Sequence, residues 1–424
     1  MNKFKELHLK DSILTNITKA GFETPTPIQT KSIPLILKKV DLLGIAQTGT
    51  GKTAAFGLPI IQLLTDKPRI QPGREPRVLI LSPTRELSSQ IYDNLKLYSQ
   101  NLSLRLGLVF GGVGQAKQVN TLREGVDILV ATPGRLLDLM NQGFINLTKI
   151  EIFVLDEADR MLDMGFINDV KKITAKIPRE RQTLFFSATM PKEIARLAET
   201  ILRKPERVEI TPESTTVEKI NQKIIRCRKA DKYQLLRVLL GKDHLSLVLV
   251  FSRTKHGANR IVDYLAHFKI AAAAIHGNKS QNAREYALNQ FRAGQIKVLI
   301  ATDLAARGID VPDISHVINF DLPVESETYV HRIGRTARAG KSGEAISFCD
   351  ETENEALKRI ERTIGMKLPV EEFQGIPEAS VRISKPQKPY RDPRRPSNSN
   401  NQNGSREQKR PKVGFKFRSS KNRS

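Results

Sequence analysis

Cysteine is scarce in this sequence, tryptophan is absent, and long hydrophobic runs are missing. Cys227 and Cys349 are the only cysteines among 424 residues, and their wide separation argues against a disulfide framework or a cysteine-based metal site. No run of about 18 apolar residues is present, which argues against a membrane-spanning helix. Residues 1–10 also lack the apolar core of a secretory signal. A reduced, cytoplasmic environment is the simplest expectation.

Aromatic residues and histidine clusters are also sparse. Aromatic side chains make up 6% of the chain, so the stacking platforms that many single-strand binders use are not evident. The seven histidines form no His-x-x-x-His pair and no Cys/His set. We therefore expect no zinc site.

Acidic residues are outnumbered by basic ones, 45 against 69, which gives a net charge of +24. From Arg382 onward the sequence has fourteen Lys or Arg residues but only two acids, Asp392 and Glu407. Such a balance favours polyanions, with nucleic acid ahead of an anionic membrane; a tail that only aids solubility is the alternative. Residues 377–424 contain few large apolar side chains, so we predict a disordered basic tail.

Short apolar runs separated by turn residues recur along the rest of the chain. They are apolar on both faces, which is typical of parallel strands covered by helices. In the first half the predicted strands are Asp41–Ala46, Val78–Ser82, Leu106–Phe110, Asp127–Ala131, Glu151–Asp156 and Thr183–Ser187. In the second half they are Leu247–Phe251, Ala271–His276, Val298–Thr302, His316–Phe320 and Glu344–Phe348. The pattern predicts an α/β fold with two parallel-sheet domains in tandem, residues 1–204 and 217–376, joined by a linker at 205–216.

A glycine-rich segment follows the first predicted strand and precedes a helical pattern. Its residues are Ala46, Gln47, Thr48, Gly49, Thr50, Gly51, Lys52 and Thr53. Glycines allow backbone N–H groups to close around phosphate oxygens, and the following helix offers its positive end. Lys52 would add a point charge and Thr53 a hydroxyl ligand for Mg²⁺. The segment predicts an ATP site, although the general pattern begins with Gly where this chain has Ala46.

Two acidic residues, Asp156 and Glu157, end a later apolar strand. Open α/β sheets bind ligands at the carboxyl ends of their strands. Asp156 would hold Mg²⁺, and Glu157 would orient and deprotonate the attacking water. An acidic helix N-cap is the alternative, but the phosphate-binding loop upstream favours the catalytic interpretation.

The segment Asp156-Glu157-Ala158-Asp159 resembles the motif that names the DEAD-box RNA helicase family. Other segments similar to family motifs follow in order from about Phe4 to Gly340, and the second domain and basic tail are most similar to the bacterial RhlE-like branch. The resemblance implies two RecA-like domains that close on ATP and RNA. The family also begins its phosphate-binding loop with Ala, so Ala46 fits it.

The segment from Gly21 to Gln29 resembles the Q motif of this family. The resemblance implies that Gln29 recognises adenine, with Phe22 of the same motif at the nucleotide. It further implies that Phe4, seventeen residues before Gly21, is the upstream aromatic that stacks on the base.

Three more segments resemble motifs that couple the two domains. His331–Arg338 is similar to motif VI, in which Arg335 and Arg338 would reach the γ-phosphate, and we expect His331 to belong to the catalytic set. An arginine that reaches the γ-phosphate in this way, called an arginine finger, raises the turnover rate by about 10³–10⁵-fold. Ser187-Ala188-Thr189 is similar to motif III and would bridge to the acidic loop, with Asp159 as a coupling residue. The segment from Ala301 to Asp310 resembles motif V, which implies Gly308 and Asp310 at the ribose and Thr302 at RNA phosphate.

The remaining motif-like segments follow strands and are typical of phosphate binders. They predict an RNA track made of Pro83, Thr84, Arg85, Gly111, Gly112, Thr132, Pro133, Gly134, Arg135, Ser252, Arg253, Thr254, Gly277 and Thr302. Each segment alone could be only a turn or a helix cap. Because these groups address the backbone, binding without sequence preference is expected, and the tail would make it salt-sensitive.

The sequence therefore predicts an ATP-dependent RNA helicase with ATP and Mg²⁺ as cofactors. It would bind single-stranded or duplex RNA, ribosomal or messenger, and protein partners through the tail, with a monomer as the default. Two rivals stay open: a DNA helicase or translocase with the same two-domain engine, and an RNA clamp that binds without unwinding.

Overall fold

The structure is a computed structural model that describes residues 3–47, 49–68, 75–210, 220–241, 245–306, 311, 313–336 and 343–373. All of them belong to one compact unit, Met1–Gly375. Within it lie two seven-stranded sheets whose strand pairs are all parallel. No helix in the described ranges has the length and apolar character that a bilayer crossing requires.

The first sheet has the strand order β3-β4-β2-β5-β6-β1-β7. Its strands are β1 Leu42–Ile45, β2 Val78–Leu81, β3 Leu106–Val109, β4 Ile128–Ala131, β5 Ile152–Leu155, β6 Gln182–Ser187 and β7 Glu206–Glu209. Its helices are α1 Asp11–Lys19, α2 Pro27–Leu37, α3 Lys52–Asp66, α4 Arg85–Tyr98, α5 Ala116–Glu124, α6 Pro133–Asn141, α7 Ala158–Asp163, α8 Ile167–Thr174 and α9 Lys192–Ile201, preceded by a 3₁₀ helix at Lys3–Leu7.

The core of this domain has two halves because strand side chains alternate between the two faces of the sheet. Ile80 and Val154 belong to the hydrophobic cluster on one face, whereas Leu81 and Leu155 belong to the cluster on the other. Helices cover both faces, which is why the central strands are apolar throughout.

The second sheet repeats this plan with the order β10-β11-β9-β12-β13-β8-β14. Its strands are β8 Ile220–Arg226, β9 Val248–Phe251, β10 Ala272–Ile275, β11 Val298–Ala301, β12 His316–Asn319, β13 Gly343–Cys349 and β14 Val370–Glu372. Its helices are α10 Lys232–Leu240, α11 Lys255–His267, α12 Gln281–Arg292, α13 Asp303–Ala306, α14 Ser326–Ile333 and α15 Asn354–Ile364, with 3₁₀ helices at Lys229–Asp231 and Glu351–Glu353.

The predicted α/β fold with two tandem parallel sheets is confirmed, and all eleven predicted strands are present. Strands β7, β8 and β14 were not predicted. The linker prediction was wrong at its start, because β7 pairs with β1 as the seventh strand of the first sheet. Only Val208 of β7 is buried, so this edge strand leaves no apolar run in the sequence. Residues 211–216 of that linker and the tail at 377–424 lie outside the described residues.

Gly44 in β1 provides a test of how tightly the first core is packed. A Cβ at Gly44 would lie 2.6 Å from the Phe186 ring, which is itself packed against Phe56 at a centroid distance of 5.6 Å. We expect Gly44→Ala to destabilise the domain by about 1–3 kcal/mol and to lower the melting temperature by roughly 2–4 °C for each kcal/mol. Gly114→Ala is the matched control, since its Cβ would meet no atom within 4 Å. Equal melting temperatures for the two variants would contradict this packing.

Candidate nucleotide and RNA site

The order of the strands separates two kinds of loops along one edge of each sheet. In the first sheet the loops after β5, β6 and β1 carry the predicted nucleotide motifs, whereas those after β2, β3 and β4 carry the predicted RNA motifs. In the second sheet the RNA-type loops follow β9, β10 and β11, which are again three adjacent strands at one end. Because carboxyl ends of parallel strands share one edge, topology alone gathers these loops.

The phosphate-binding loop closes tightly at the start of α3. Gly49 and Gly51 have φ values of 84° and 90°, a left-handed conformation that favours glycine. Lys52 Nζ donates a hydrogen bond to the Ala46 carbonyl at 2.9 Å. The Thr50 hydroxyl donates to the Gln47 carbonyl at 2.8 Å and completes the turn.

Gln29 fixes this loop against the amino terminus of α2. Its Nε2 donates to the Gly51 carbonyl at 3.1 Å, and its Oε1 accepts the Thr26 N–H at 2.9 Å. A Cβ on Gly51 would collide with the Gln29 amide. The glycine is therefore required both by backbone conformation and by this close approach.

A cavity of about 280 Å³ joins the loop, the acidic strand end and the second domain. Its lining combines sequence-predicted residues with five that were not predicted, Ala54 of α3 and four from α4. The residues are Phe22, Gly49, Gly51, Lys52, Thr53, Ala54, Leu87, Gln90, Asn94, Tyr98, Asp156, Glu157 and Arg335. Arg335 belongs to the second domain, so the two domains share this cavity.

Asp156 and Glu157 are both buried beside Lys52. Burial raises the pKa of Asp156 to about 7; nearby Lys52 lowers it and Glu157 raises it. Glu157 adopts φ 53°, a rare conformation for a non-glycine residue, and its Oε2 accepts a hydrogen bond from Arg160 at 2.7 Å. The pair of carboxylates is thus held at the cavity wall by the protein itself.

Arg335 is only 5% exposed at the opposite wall. Burial, and then the neighbouring Arg160, lower its pKa to about 9, whereas Glu157 raises it. Its Nε donates to the His331 carbonyl at 3.1 Å. Negative charge nearby stabilises a buried guanidinium that lies next to a second cation.

Asp159, Ser187 and Thr189 form one hydrogen-bonded group, as the resemblance implied. The Asp159 N–H donates to Ser187 Oγ at 3.2 Å. Asp159 Oδ2 accepts the Thr189 N–H at 2.9 Å and the Thr189 hydroxyl at 3.0 Å. The loops after β5 and β6 are joined by these contacts.

Phe22 rather than Phe4 reaches the nucleotide cavity. The Phe4 ring is fully buried and packs edge-on against Phe22 at a centroid distance of 6.2 Å. Phe22 in turn contacts Tyr98 at 5.8 Å, and both line the cavity. The stacking role predicted for Phe4 therefore needs correction: spacing along the chain matched, but the ring is packed in the core and supports Phe22.

His331 lies outside the nucleotide cavity, contrary to its expected place in the catalytic set. It lines a separate crevice of about 20 Å³ with Arg160 and Asp163 of the first domain. Beside it, Arg332 is buried and donates to Asp303 at 2.5 and 2.8 Å. The Arg332–Asp303 pair was not predicted, although both residues fall within the motif-like segments.

In the first domain the RNA-type loops converge on Arg85. Its guanidinium packs directly on the backbone of Gly112, which has φ 77° and where a Cβ would collide with it. Burial and the neighbouring Arg284 lower the pKa of Arg85. Gly111 lies close by, and Arg135 donates to the Val113 carbonyl at 3.2 Å.

Helix amino termini complete these loops. The Thr84 hydroxyl caps α4 by accepting the Leu87 N–H at 3.2 Å, and Pro83 precedes it. Thr132 and Pro133 begin α6, and Gly134 has open space around it. Free N–H groups at helix starts and open glycine backbone are suited to phosphate oxygens.

The RNA-type loops of the second domain contain similar groups, with Arg253 as the one exception. The Thr254 hydroxyl caps α11 by accepting the Gly257 N–H at 2.9 Å. Ser252 directly follows β9, a Cβ at Gly277 would meet no atom within 4 Å, and Thr302 precedes α13. Arg253, however, donates to Glu353 at 2.6 Å and to the Leu322 carbonyl at 3.1 Å.

The Arg253 guanidinium is therefore tied into its own domain, which corrects its expected place in the RNA track. Four further predicted residues, Thr48, Gly308, Asp310 and Arg338, lie outside the described residues.

An ion pair between the domains was not predicted. Arg284 of α12 lies 2.8 Å from Glu86 of α4, with both side chains almost fully buried. Gln281 Nε2 donates to the same carboxylate at 3.4 Å, and Arg85 Nη1 donates to Gln281 Oε1 at 3.5 Å. The sequence shows that each of the two helices carries a charged residue, but it does not show that the two helices meet.

Two RecA-like sheets that share a nucleotide-type cavity define a two-domain nucleotide-binding protein. A family model described as DEAD/DEAH box helicase matches residues 26–197, and one described as Helicase conserved C-terminal domain matches residues 231–340. The chain belongs to the DEAD-box family of ATP-dependent RNA helicases, which are RNA-dependent ATPases.

Individual relatives agree with this assignment. DEAD-box ATP-dependent RNA helicase CshA of Geobacillus kaustophilus is 42% identical over 87% of this chain and 78% of that protein. ATP-dependent RNA helicase CshA of Listeria monocytogenes is 43% identical over 86% and 69%. Dbp5 of Saccharomyces cerevisiae bound to RNA and ADP BeF3 superposes with a TM-score of 0.77 at 33% identity, covering 88% of this chain and 96% of that one. The finer RhlE-like assignment stays a prediction.

The Glu86–Arg284 pair should stabilise the arrangement of the two domains. Removing one partner of a buried pair leaves an uncompensated charge and costs about 3–5 kcal/mol. We expect Glu86→Gln or Arg284→Gln to raise the RNA concentration needed for half-maximal ATPase activity, and the double variant to lose less than the sum of the single losses. The exposed pair Glu355–Lys358 of α15 is the control cycle. Strictly additive effects at Glu86 and Arg284 would show that the pair does not act across the interface.

Proposed function

We propose that this chain binds ATP between its two domains and uses closure on ATP and RNA to unwind short RNA duplexes or remodel RNA–protein complexes. The observation that carries the proposal is the shared cavity, in which Lys52 and Glu157 of the first domain face Arg335 of the second. A triphosphate at Lys52 would make contacts to both domains. ATP then favours the closed arrangement because it binds that arrangement more tightly.

In the proposed reaction Glu157 orients the attacking water and receives its proton. Arg160 holds the Glu157 carboxylate in place at 2.7 Å, and Lys52 lies on the same side of the cavity. Arg335 faces the position where negative charge develops, as an arginine finger does. Arg338 is proposed as the second finger on the strength of the motif-like segment alone. Hydrolysis would therefore depend on the second domain being in place.

The residues present fit a divalent cation. Asp156 is a buried carboxylate whose pKa is raised by burial and by Glu157, so a cation beside it would compensate two crowded acids. The Thr53 hydroxyl lines the same cavity, and oxygen ligands suit Mg²⁺. We propose Asp156 and Thr53 as its protein contacts; when bound, Mg²⁺ would neutralise charge on the phosphates. Among the described residues no group of three or more His, Cys, Asp or Glu side chains could hold a metal ion.

Coupling between nucleotide and RNA is proposed to run through the Asp159–Ser187–Thr189 group. Its hydrogen bonds join the loop that holds Glu157 to the loop after β6. His331 lies in the interdomain crevice beside Arg160, which contacts Glu157 directly. A shift of the second domain would therefore move Arg160 and change the position of the Glu157 carboxylate.

The RNA ligand is proposed to lie along the carboxyl edges of β3-β4-β2 and β10-β11-β9. The groups there are glycine backbone, threonine caps and arginines, which contact phosphates and carry no base readout. Ribosomal and messenger RNA are the substrates we propose, since the chain has a net charge of +24. We also propose a cytoplasmic monomer whose basic tail adds salt-sensitive affinity and contacts protein partners.

A strand-displacement assay tests this function against both rivals. We expect ATP to release one strand of a short RNA duplex that carries a single-stranded overhang, and RNA but not DNA to stimulate ATP hydrolysis. Equal stimulation by DNA would favour a DNA translocase. Tight RNA binding and ATP turnover without displacement would favour a clamp.

Glu157→Gln should separate binding from hydrolysis. The substitution keeps the size of the side chain but removes the proton acceptor, so we expect turnover to fall by about 10²–10⁴-fold. Nucleotide and RNA binding, measured by fluorescence anisotropy, should persist because Lys52 and the RNA track are unchanged. Glu193→Gln on the exposed face of α9 is the control. Normal turnover in Glu157→Gln would remove Glu157 from its assigned role.

A further inference from the structure

The amino-terminal edge of the first sheet, opposite the edge that holds the candidate site, carries a concentration of basic residues. Three loops enter the adjacent strands β6, β1 and β7 at this edge. Two cations from each loop form what we call the basic edge: Lys38, Lys39, Arg179, Arg181, Arg203 and Lys204. All except Arg181 are exposed. The loop before β6 also contains Lys176, which is not counted with them.

Elsewhere along the same edge, two arginines are paired with carboxylates. In front of β2 and β5, Arg77 donates to Glu151 at 2.5 and 3.1 Å. In front of β3 and β4, Arg105 lies 3.7 Å from Asp127. Each of these two arginines therefore has a carboxylate partner.

The basic edge lacks such neutralisation. Three carboxylates lie in or directly after its loops, Asp41, Glu180 and Glu206. Asp41 is buried, and its two oxygens accept the backbone N–H groups of Thr183 at 2.7 Å and Arg203 at 2.8 Å. Within the described part of the chain no cation of the basic edge is in an ion pair. The excess positive charge therefore faces solvent.

Arg181 is the only member of the basic edge that is partly buried. It donates to the Pro178 carbonyl at 2.5 Å, and its guanidinium lies 5.7 Å from the centre of the Phe153 ring. Its pKa is lowered by burial, raised by Asp41 and lowered by Arg203, which shows that two like charges converge here. Holding them together costs free energy that an anion would recover.

Two of the lysines also adopt an unfavourable backbone conformation. Lys39 and Lys204 have φ values of 60° and 44°, in the left-handed region where glycine or asparagine is favoured. Both side chains are exposed and contribute nothing to the core. The positive charge of these two lysines is therefore the property by which they differ from the glycine or asparagine that the turns favour.

We propose that the basic edge is a second surface for RNA backbone, distinct from the RNA track. The inference rests on the proposed function, which makes RNA the polyanion that this chain handles. Cations spread over three loops match a line of phosphates better than a single anion, because the charges of a nucleic-acid backbone are spread in the same way. An acidic protein surface is the competing partner.

The position of the basic edge defines which RNA it would take. Strands of four to six residues separate the two edges of the sheet by roughly 13–20 Å at about 3.3 Å per residue. A short single strand that fills the RNA track would not reach the basic edge. The expected ligand is a duplex or distant segment of a structured RNA whose single-stranded part occupies the track.

The test compares two full-length variants with the same reduction in positive charge. One carries Lys38→Gln, Lys39→Asn, Arg203→Gln and Lys204→Asn; Arg179 and Arg181 are kept. The control carries Gln at four exposed lysines of the amino-terminal helices, Lys3, Lys5, Lys19 and Lys31. Binding is measured at several salt concentrations for a short single-stranded RNA and for the same strand joined to a long hairpin.

We expect the affinity of the first variant for the hairpin RNA to be about tenfold or more below that of the control. Its plot of log affinity against log salt should be shallower by roughly 0.9 for each duplex phosphate that the variant no longer neutralises. Affinity for the short strand and the ATPase activity that this strand stimulates should equal those of the control, which also shows that the variant is folded.

Three results would overturn the proposal. Equal hairpin affinity in both variants would show that the basic edge does not contact RNA. An equal reduction in affinity for the short strand would place the effect in the RNA track. Retained hairpin binding with abolished binding to polyglutamate would assign the surface to an acidic protein. Failure of the proposed function is distinguishable, because it would appear as absent RNA-stimulated ATP hydrolysis in the unaltered chain.

Discussion

The guanidinium of Arg335 is buried in a cavity whose other walls belong to a different domain. The rest of the site depends on this contact between the two domains. Removing a guanidinium from water is unfavourable unless an anion compensates it. Burial and the neighbouring Arg160 lower the pKa of Arg335 to about 9, whereas Glu157 raises it. A triphosphate held by Lys52 would add negative charge between Lys52 and this guanidinium. Nucleotide binding and domain closure are then one event, stabilised by the same charges.

Helix α4 connects this event to RNA. Its first residue, Arg85, packs on the Gly112 backbone in the RNA track, and its second, Glu86, pairs with Arg284 of the other domain. Farther along the helix, Gln90 and Tyr98 line the nucleotide cavity. One rigid element thus contacts the proposed RNA path, the domain interface and the nucleotide, so none of the three can rearrange without affecting the helix.

Buried ionic networks position the loops of the second domain. Lys232 is almost fully buried and lies 2.6 Å from Glu353 and 3.0 Å from Asp350. Glu353 also accepts from Arg253 and from the Leu322 N–H, which fixes the loop after β9. Such networks add little net stability compared with apolar packing, but they define geometry because each charge requires its partners. This explains why Arg253 serves the fold although its motif resembles an RNA binder.

The sequence by itself determined which residues could carry out the chemistry and in what order the strands follow one another along the chain. Periodicity located eleven strands, and their carboxyl ends predicted where Lys52, Glu157 and the threonine caps would gather, because parallel topology places every such end on one edge. Strands β7, β8 and β14 were missed; in β7 only Val208 is buried. Tertiary structure decided that Phe22 and not Phe4 reaches the cavity, that α4 supplies part of its wall, and that Glu86 meets Arg284. Those outcomes depend on packing between segments far apart in the chain. The residue pattern within one segment does not show which distant segment it will pack against.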